Sequence, residues 1–274
     1  AWPVYWLVGQ WAAAYPSELA LYLADKDFHD YVDRLRMLPV IIALPWLFRR
    51  CGLASWRALG VQWDMQGLQV SLRWFAVAVL VVGVIALEQV FERGAGLRDP
   101  VAGAAQLWRI FGLSLLSGAA VALVEETVFR GMILRMFYTR LTPFFSVLLA
   151  SLFFAYTHFS IPDKVLAVAG APSFGSGFFV AYGNLFGITK SFELIPFLNL
   201  TLLGTALSLL VLRTGSLMPA IGFHAGAVCF ISSYRQLVQL GPAGSWEPFL
   251  GGTSIKDGWL TSLVLGLVVA ALLF

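Results

Sequence analysis

Apolar residues along this chain come in long runs, with polar positions gathered at the joints between them. A bilayer is crossed by about 17–25 apolar residues in a helix. On that measure the pattern predicts spans near 4–23, 36–49, 69–91, 109–136, 143–159, 192–213, 215–236 and 258–274. Pro16 and Glu18 interrupt the first run, while 36–49 is short and holds Pro39 and Pro45, as a kinked or half-embedded helix would. The stretch 25–36 carries Asp25, Lys26, Asp27, Asp30, Asp33, Arg34 and Arg36, which suits an interfacial helix or exposed loop. Residues 160–191, rich in Gly, Phe and Pro, read as a long structureless loop, and a loop of that length is more often functional than idle.

Composition turns this pattern into a class. The 274 residues are 59% hydrophobic and 12% charged, with mean hydropathy +0.81, against roughly 45–50% and about 25% in soluble domains. The fold class expected is therefore an all-α polytopic membrane protein. A bundle of about seven to eight transmembrane helices would hold a four-helix core, and the bilayer is its first partner. A net charge of +3, spread along the chain, leaves nucleic acid without a surface to bind. Cys51 and Cys229 stand alone and far apart, so neither a disulfide framework nor a cysteine metal site is expected. The opening Ala1-Trp2-Pro3-Val4-Tyr5-Trp6 lacks the basic n-region of a cleavable signal peptide.

Against this apolar background a few ionisable residues stand out. Glu125, Glu126 and Arg130 lie near the end of the run that starts around Ile110. A carboxylate at membrane depth costs several kcal/mol unless it is paired or faces a wet cavity, so its default reading is a functional site. Glu126 and Arg130 are four residues apart, the spacing of an intrahelical ion pair. His158 ends the next span, and Asn199 and His224 lie on the following pair of spans. Counting about 1.5 Å per residue from the hairpin turn near 137–142, Glu125 and His158 sit at depths of roughly 16 and 22 Å. If the hairpin at Arg213-Thr214-Gly215 turns on the same face, Asn199 and His224 join that layer. His29, in the charged N-terminal stretch, reads as an ordinary structural histidine. Gly222 and Gly226 flank His224 and allow a neighbouring helix to approach closely.

Such a cluster permits acid–base hydrolysis. A carboxylate and an imidazole can share a water, the carboxylate taking its proton during attack on an amide carbonyl. His224 or the Asn199 amide would then offer donors to the developing oxyanion. Two histidines and one carboxylate also suit zinc, although the His-Glu-x-x-His signature of zinc proteases is absent.

Glu-Glu-x-x-x-Arg at 125–130, Phe-x-x-x-His at 154–158 and the later His224, led by Arg213-Thr214-Gly215-Ser216-Leu217-Met218-Pro219-Ala220, resemble the CAAX-protease and bacteriocin-processing (CPBP) family. The resemblance covers roughly 105–236. It implies a glutamate-dependent intramembrane protease with no metal and no other cofactor. Carried over by position, Glu125 is the base that activates water and His158 its partner. Glu126 and Arg130 complete the first motif, and His224 belongs to the oxyanion site. Val228 stands where the prenyl-processing branch has Asn, which points away from prenylated substrates.

Three domains are expected: 1–104 with N-terminal transmembrane and interfacial helices, a catalytic core over 105–236 with 160–191 inserted, and 237–274 with the last transmembrane helix. The reading that follows is an intramembrane endopeptidase acting on a membrane-associated or lipid-modified protein or peptide, in a bacterial plasma (inner) membrane. The alternative is a non-catalytic subunit or scaffold bound to a partner within a membrane complex.

Overall fold

Pro and Gly set the joints of the helices. The computed structural model describes all residues except Arg36, Cys51, Ala54, 99–102, 159–171, 187–191, 243–245, 247–248 and 250–256. Two compact units are present, Ala1–Arg50 with Phe159–Phe192, and Cys51–His158 with Glu193–Phe274. The first holds α1 (Trp2–Ala14), α2 (Glu18–Ala24), α3 (Phe28–Leu35) and α4 (Met37–Arg50). The expected span 4–23 is thus broken in two. Pro16 has no N–H to continue a helix, and the Ser17 hydroxyl caps α2 by accepting from the Ala20 amide.

The second unit runs through α5 (Trp56–Leu59), α6 (Met65–Arg93), β1 (Ala95–Leu97), α7 (Ala104–Glu126), a π-helical segment (Thr127–Leu134), α8 (Arg135–Tyr138) and α9 (Pro143–Thr157). Helix α10 (Ser176–Phe186) belongs to the first unit. The second unit resumes with α11 (Leu194–Thr214), α12 (Met218–Leu237), β2 (Val238–Leu240) and α13 (Trp259–Leu273). This is an all-α membrane protein, to which β1 and β2 add one short antiparallel ladder that the hydrophobic pattern does not announce.

Within the first unit, Phe28, Val32 and Val180 form a small core on which Trp2 and Tyr5 pack. The loop expected over 160–191 contains α10, whose helix seats Val180 in that core. The remaining residues of that loop at 160–171 and 187–191, the side chain of His29, and Cys51 lie outside the described residues. Cys229 is buried and free.

Among the described residues, Met65–Arg93, Ala104–Tyr138 and Leu194–Thr214 are long and apolar enough to cross a membrane, and Pro143–Thr157 and Trp259–Leu273 are shorter apolar helices. Helix α12 is not among these apolar helices. It carries His224, Ser232, Ser233, Arg235 and Gln236, and much of its length is buried. Its glycines explain how it fits. A Cβ on Gly222 would fall on the Ser71 carbonyl, and one on Gly226 would lie 2.5 Å from the Phe75 carbonyl oxygen. So α6 runs alongside α12 in the same direction at backbone contact, the close approach expected of these two glycines. On another face, a Cβ on Gly118 would lie 2.8 Å from the Ala225 carbonyl oxygen, which brings α7 equally close.

One end of this unit is pinned by backbone carbonyls. The Gly60 carbonyl accepts from the Leu217 amide at 2.9 Å and from the Ser216 hydroxyl at 3.2 Å. The Arg135 guanidinium donates to the carbonyls of Ala58 and Leu59. The turn before α12 and the end of the π-helical segment are thereby held to the same short helix, α5.

Candidate active site

The site starts where α7 changes its winding. From Thr127 to Leu134 the chain is a π-helix, a form frequent at functional sites. Glu126 is the last residue before it and Arg130 lies inside it, both fully buried. Arg130 Nη1 donates to Glu126 Oε1 at 2.9 Å, and Nη2 donates to the Gly204 carbonyl of α11 at 3.0 Å. The guanidinium also lies 4.4 Å from the centroid of the Phe154 ring. A buried charge needs this many partners, because desolvation otherwise outweighs the attraction of the pair.

Glu126 Oε1 has a second hydrogen-bond partner. His224 Nδ1 lies 2.8 Å away, with the imidazole 5% exposed. The other ring nitrogen, Nε2, faces Glu125 Oε2 at 3.8 Å. That same carboxylate oxygen meets His158 Nε2 at 3.0 Å. His158 caps the end of α9, where its Nδ1 bonds the Phe154 carbonyl at 2.8 Å. Glu125 and His158 remain 23% and 28% exposed, so the outer pair is open to small molecules while the inner trio is sealed.

Phe154 ties both layers together. Its ring centroid lies 4.1 Å from that of His158 and 5.9 Å from that of His224, and Phe129 meets it edge-on at 5.1 Å. Five of the six residues singled out in the sequence therefore converge on one spot: Glu125, Glu126, Arg130, His158 and His224. Glu125 and His158 touch directly, where the sequence reading had them sharing a water. Asn199 is engaged differently. Its Nδ2 donates to the Gly258 carbonyl at 3.1 Å and its Oδ1 accepts from the Ser262 hydroxyl at 2.6 Å, which ties α11 to the start of α13. An amide so used is a helix–helix tie. Among the described residues no group of three or more His, Cys, Asp or Glu has the arrangement of a metal centre.

The family described as type II CAAX prenyl endopeptidase Rce1-like matches residues 105–230. This segment is similar to that family. No curated protein and no solved structure matches the chain. The Rce1-like segment begins within the first turn of α7 and ends within α12, so it contains every residue of the carboxylate–histidine cluster.

One contributor to the candidate site escaped the sequence reading. Gly204 supplies the carbonyl that takes Arg130 Nη2, and a Cβ there would lie 3.0 Å from Ser151 Cα and 3.3 Å from the Phe154 ring. The signal was present as Gly204 and Ser208 four apart in an apolar helix, the small-residue spacing of closely packed membrane helices.

Proposed function

We propose that the protein is an intramembrane endopeptidase, in which Glu125 and His158 activate a water against a peptide bond of a membrane-associated or lipid-modified substrate. The observation that carries this reading is the 3.0 Å contact between Glu125 Oε2 and His158 Nε2 at the open edge of an otherwise sealed polar cluster. A carboxylate and imidazole at hydrogen-bond distance are the reach that general-base catalysis requires. Substrate entry lets a water take the place of that direct contact. Glu125 then accepts one proton from the water as its oxygen bonds to the carbonyl carbon, and His158 orients the same water.

Glu126 and Arg130 are buried and paired with each other, so their part is to hold the cluster in place. The Rce1-like match over 105–230 supports a protease of this class. The Val228 side chain, four residues past His224 on α12, carries no hydrogen-bond donor, and a substrate range other than prenylated proteins follows from that departure. The membrane in question is a bacterial plasma (inner) membrane.

The mechanism proposed needs no metal. Zinc would be held by three protein ligands at about 2.0–2.2 Å. Here one ring nitrogen of each histidine is engaged by Phe154 or Glu126 and the other turns to Glu125. Cleavage of a membrane-anchored reporter by the purified protein should survive exhaustive chelation and disappear in Glu125→Gln. Loss on chelation with recovery on adding zinc would replace this mechanism by a metal-dependent one.

A further inference from the structure

Outward-facing charges mark where hydrocarbon ends, because a charge at bilayer depth is costly. Helix α6 carries such marks on one side. Arg73, Val77, Leu80, Val84 and Leu87 follow at alternating steps of four and three, which puts them on one helical face, and all are exposed. Glu88, also exposed, closes the stripe. Neither Arg73 nor Glu88 has a hydrogen-bond or ion-pair partner among the described residues. They are fifteen residues apart, about 22 Å at the rise of an α-helix, against a hydrocarbon core of about 30 Å. On α11 the exposed Glu193 and Arg213 are twenty residues apart, about 30 Å. One helix of this unit therefore matches an ordinary bilayer and another falls short of it by about 7 Å.

The contacts between helices show at which end the shortfall lies. Gly83 of α6 meets the Phe230 ring, and Ser114 of α7 bonds Ser232. Glu88 lies five residues beyond Gly83, and Arg109 five residues before Ser114 on a helix running the opposite way, so both come to about the level of Arg235 on α12. All three are exposed, and together they mark one boundary plane. At the α5 end, Arg213 lies beside the turn into α12, whereas Arg73 lies deeper. Ser71 sits against Gly222 and Phe75 against Gly226, which sets Arg73 level with His224. Helical side chains tilt toward the N-terminus, so Arg73 leans toward the α5 end while Glu88 leans back into hydrocarbon. We propose that the bilayer is thinned along α6, with phospholipid headgroups drawn down to Arg73 and so to the depth of His224. Lipid phosphates meet the Arg73 guanidinium in charge-assisted contacts, and a hydrophobic stretch too short for the bilayer is accommodated by thinning it. Headgroup water then lies level with the carboxylate–histidine cluster. The thinning requires only that these helices span a bilayer, so it stands apart from the endopeptidase reading.

Nitroxide depth in dioleoyl phosphatidylcholine vesicles tests this on the full chain. Cys51→Ser and Cys229→Ala remove the native thiols, and labels are placed singly at Val77→Cys, Leu80→Cys and Val84→Cys. Their depth is read from relaxation by oxygen against a water-soluble nickel chelate. In the thinned bilayer Val77 and Val84 each lie about 6 Å inside a boundary, so the Leu80 label should be the deepest of the three and the other two alike. With a full 30 Å core above the Glu88 plane, Val77 falls at the bilayer centre instead, about 16 Å from Glu88. A Val77 label deeper than the Leu80 label would therefore overturn the proposal. Arg73→Leu should let the Val77 label sink below the Leu80 label, and Arg73→Lys should hold it in place; a depth unmoved by Arg73→Leu would remove Arg73 from the account. Thermal unfolding of the unlabelled chain supplies a readout free of cysteine changes. The wild type should unfold at a higher temperature in dimyristoleoyl than in dierucoyl phosphatidylcholine, and Arg73→Leu should narrow that difference. The reverse order for the wild type, or a difference that Arg73→Leu leaves intact, would contradict a bilayer thinned at this residue.

Discussion

Removing the Arg130 guanidinium probes the sealed half of the cluster. Arg130→Ala deletes the bond to Glu126, the bond to the Gly204 carbonyl and the contact with the Phe154 ring. The Gly204 carbonyl keeps the Ser208 hydroxyl at 2.8 Å, so that loss is partial. Glu126 is left fully buried with His224 as its remaining hydrogen-bond partner. Breaking a buried pair from one side costs about 3–5 kcal/mol, and a desolvated cation over an aromatic ring adds roughly 0.5–2 kcal/mol. These contributions overlap, so the expected total is about 3–6 kcal/mol, a large share of the ~5–15 kcal/mol that stabilises a native protein. At roughly 2–4 °C per kcal/mol for a chain of this size, Tm in detergent should fall by about 6–24 °C, followed by tryptophan fluorescence. The double variant Glu126→Gln/Arg130→Met orphans no charge and keeps an acceptor for His224, so it should regain at least half of that loss. A single-variant fall below about 3 °C, or a double variant whose loss is the sum of the two singles, would refute a coupled buried pair.

Two further substitutions separate packing from chemistry. Gly222→Ala places a methyl on the Ser71 carbonyl, and since overpacking costs about 1–3 kcal/mol or more, thermal unfolding should show at least that loss; wild-type stability would contradict the contact between α6 and α12. Asn199→Ala removes the tie to Gly258 and Ser262, so stability should drop by about 1–3 kcal/mol while cleavage per folded molecule changes little. A fall in kcat of about 10²–10³ at unchanged stability is the mark of a lost oxyanion donor and would return Asn199 to the reacting centre.

Much of this site was legible in the sequence because membrane depth simplifies the search. In a chain with so few charges, Glu125, Glu126 and Arg130 announce themselves, and helix rise alone aligns them with His158 and His224. The Glu126–Arg130 contact needed only a count of four residues along one helix. What the sequence left hidden depends on which side chain wins a shared neighbour. Glu126 and Glu125 are adjacent, yet helical geometry turns one toward His224 and the other toward His158, and no count of depth separates these. Asn199 lies at the right depth, but α13 offers its amide a carbonyl and a hydroxyl. Hydropathy also ranks α12 poorly as a span because it carries polar side chains, although its glycines put it against α6 and α7. The π-helical winding has no signature that periodicity reveals. The 160–191 segment hides α10, since glycines are spaced through its apolar residues, while Val180 supplies the buried contact.

The central claim is that Glu125 performs hydrolysis in the membrane. Membranes from cells producing the wild-type chain, Glu125→Gln or His158→Ala at matched levels should be compared by mass spectrometry of labelled protein termini. The account predicts a set of new termini in or beside transmembrane segments with the wild type and in neither variant. Termini identical across all three membranes would contradict it.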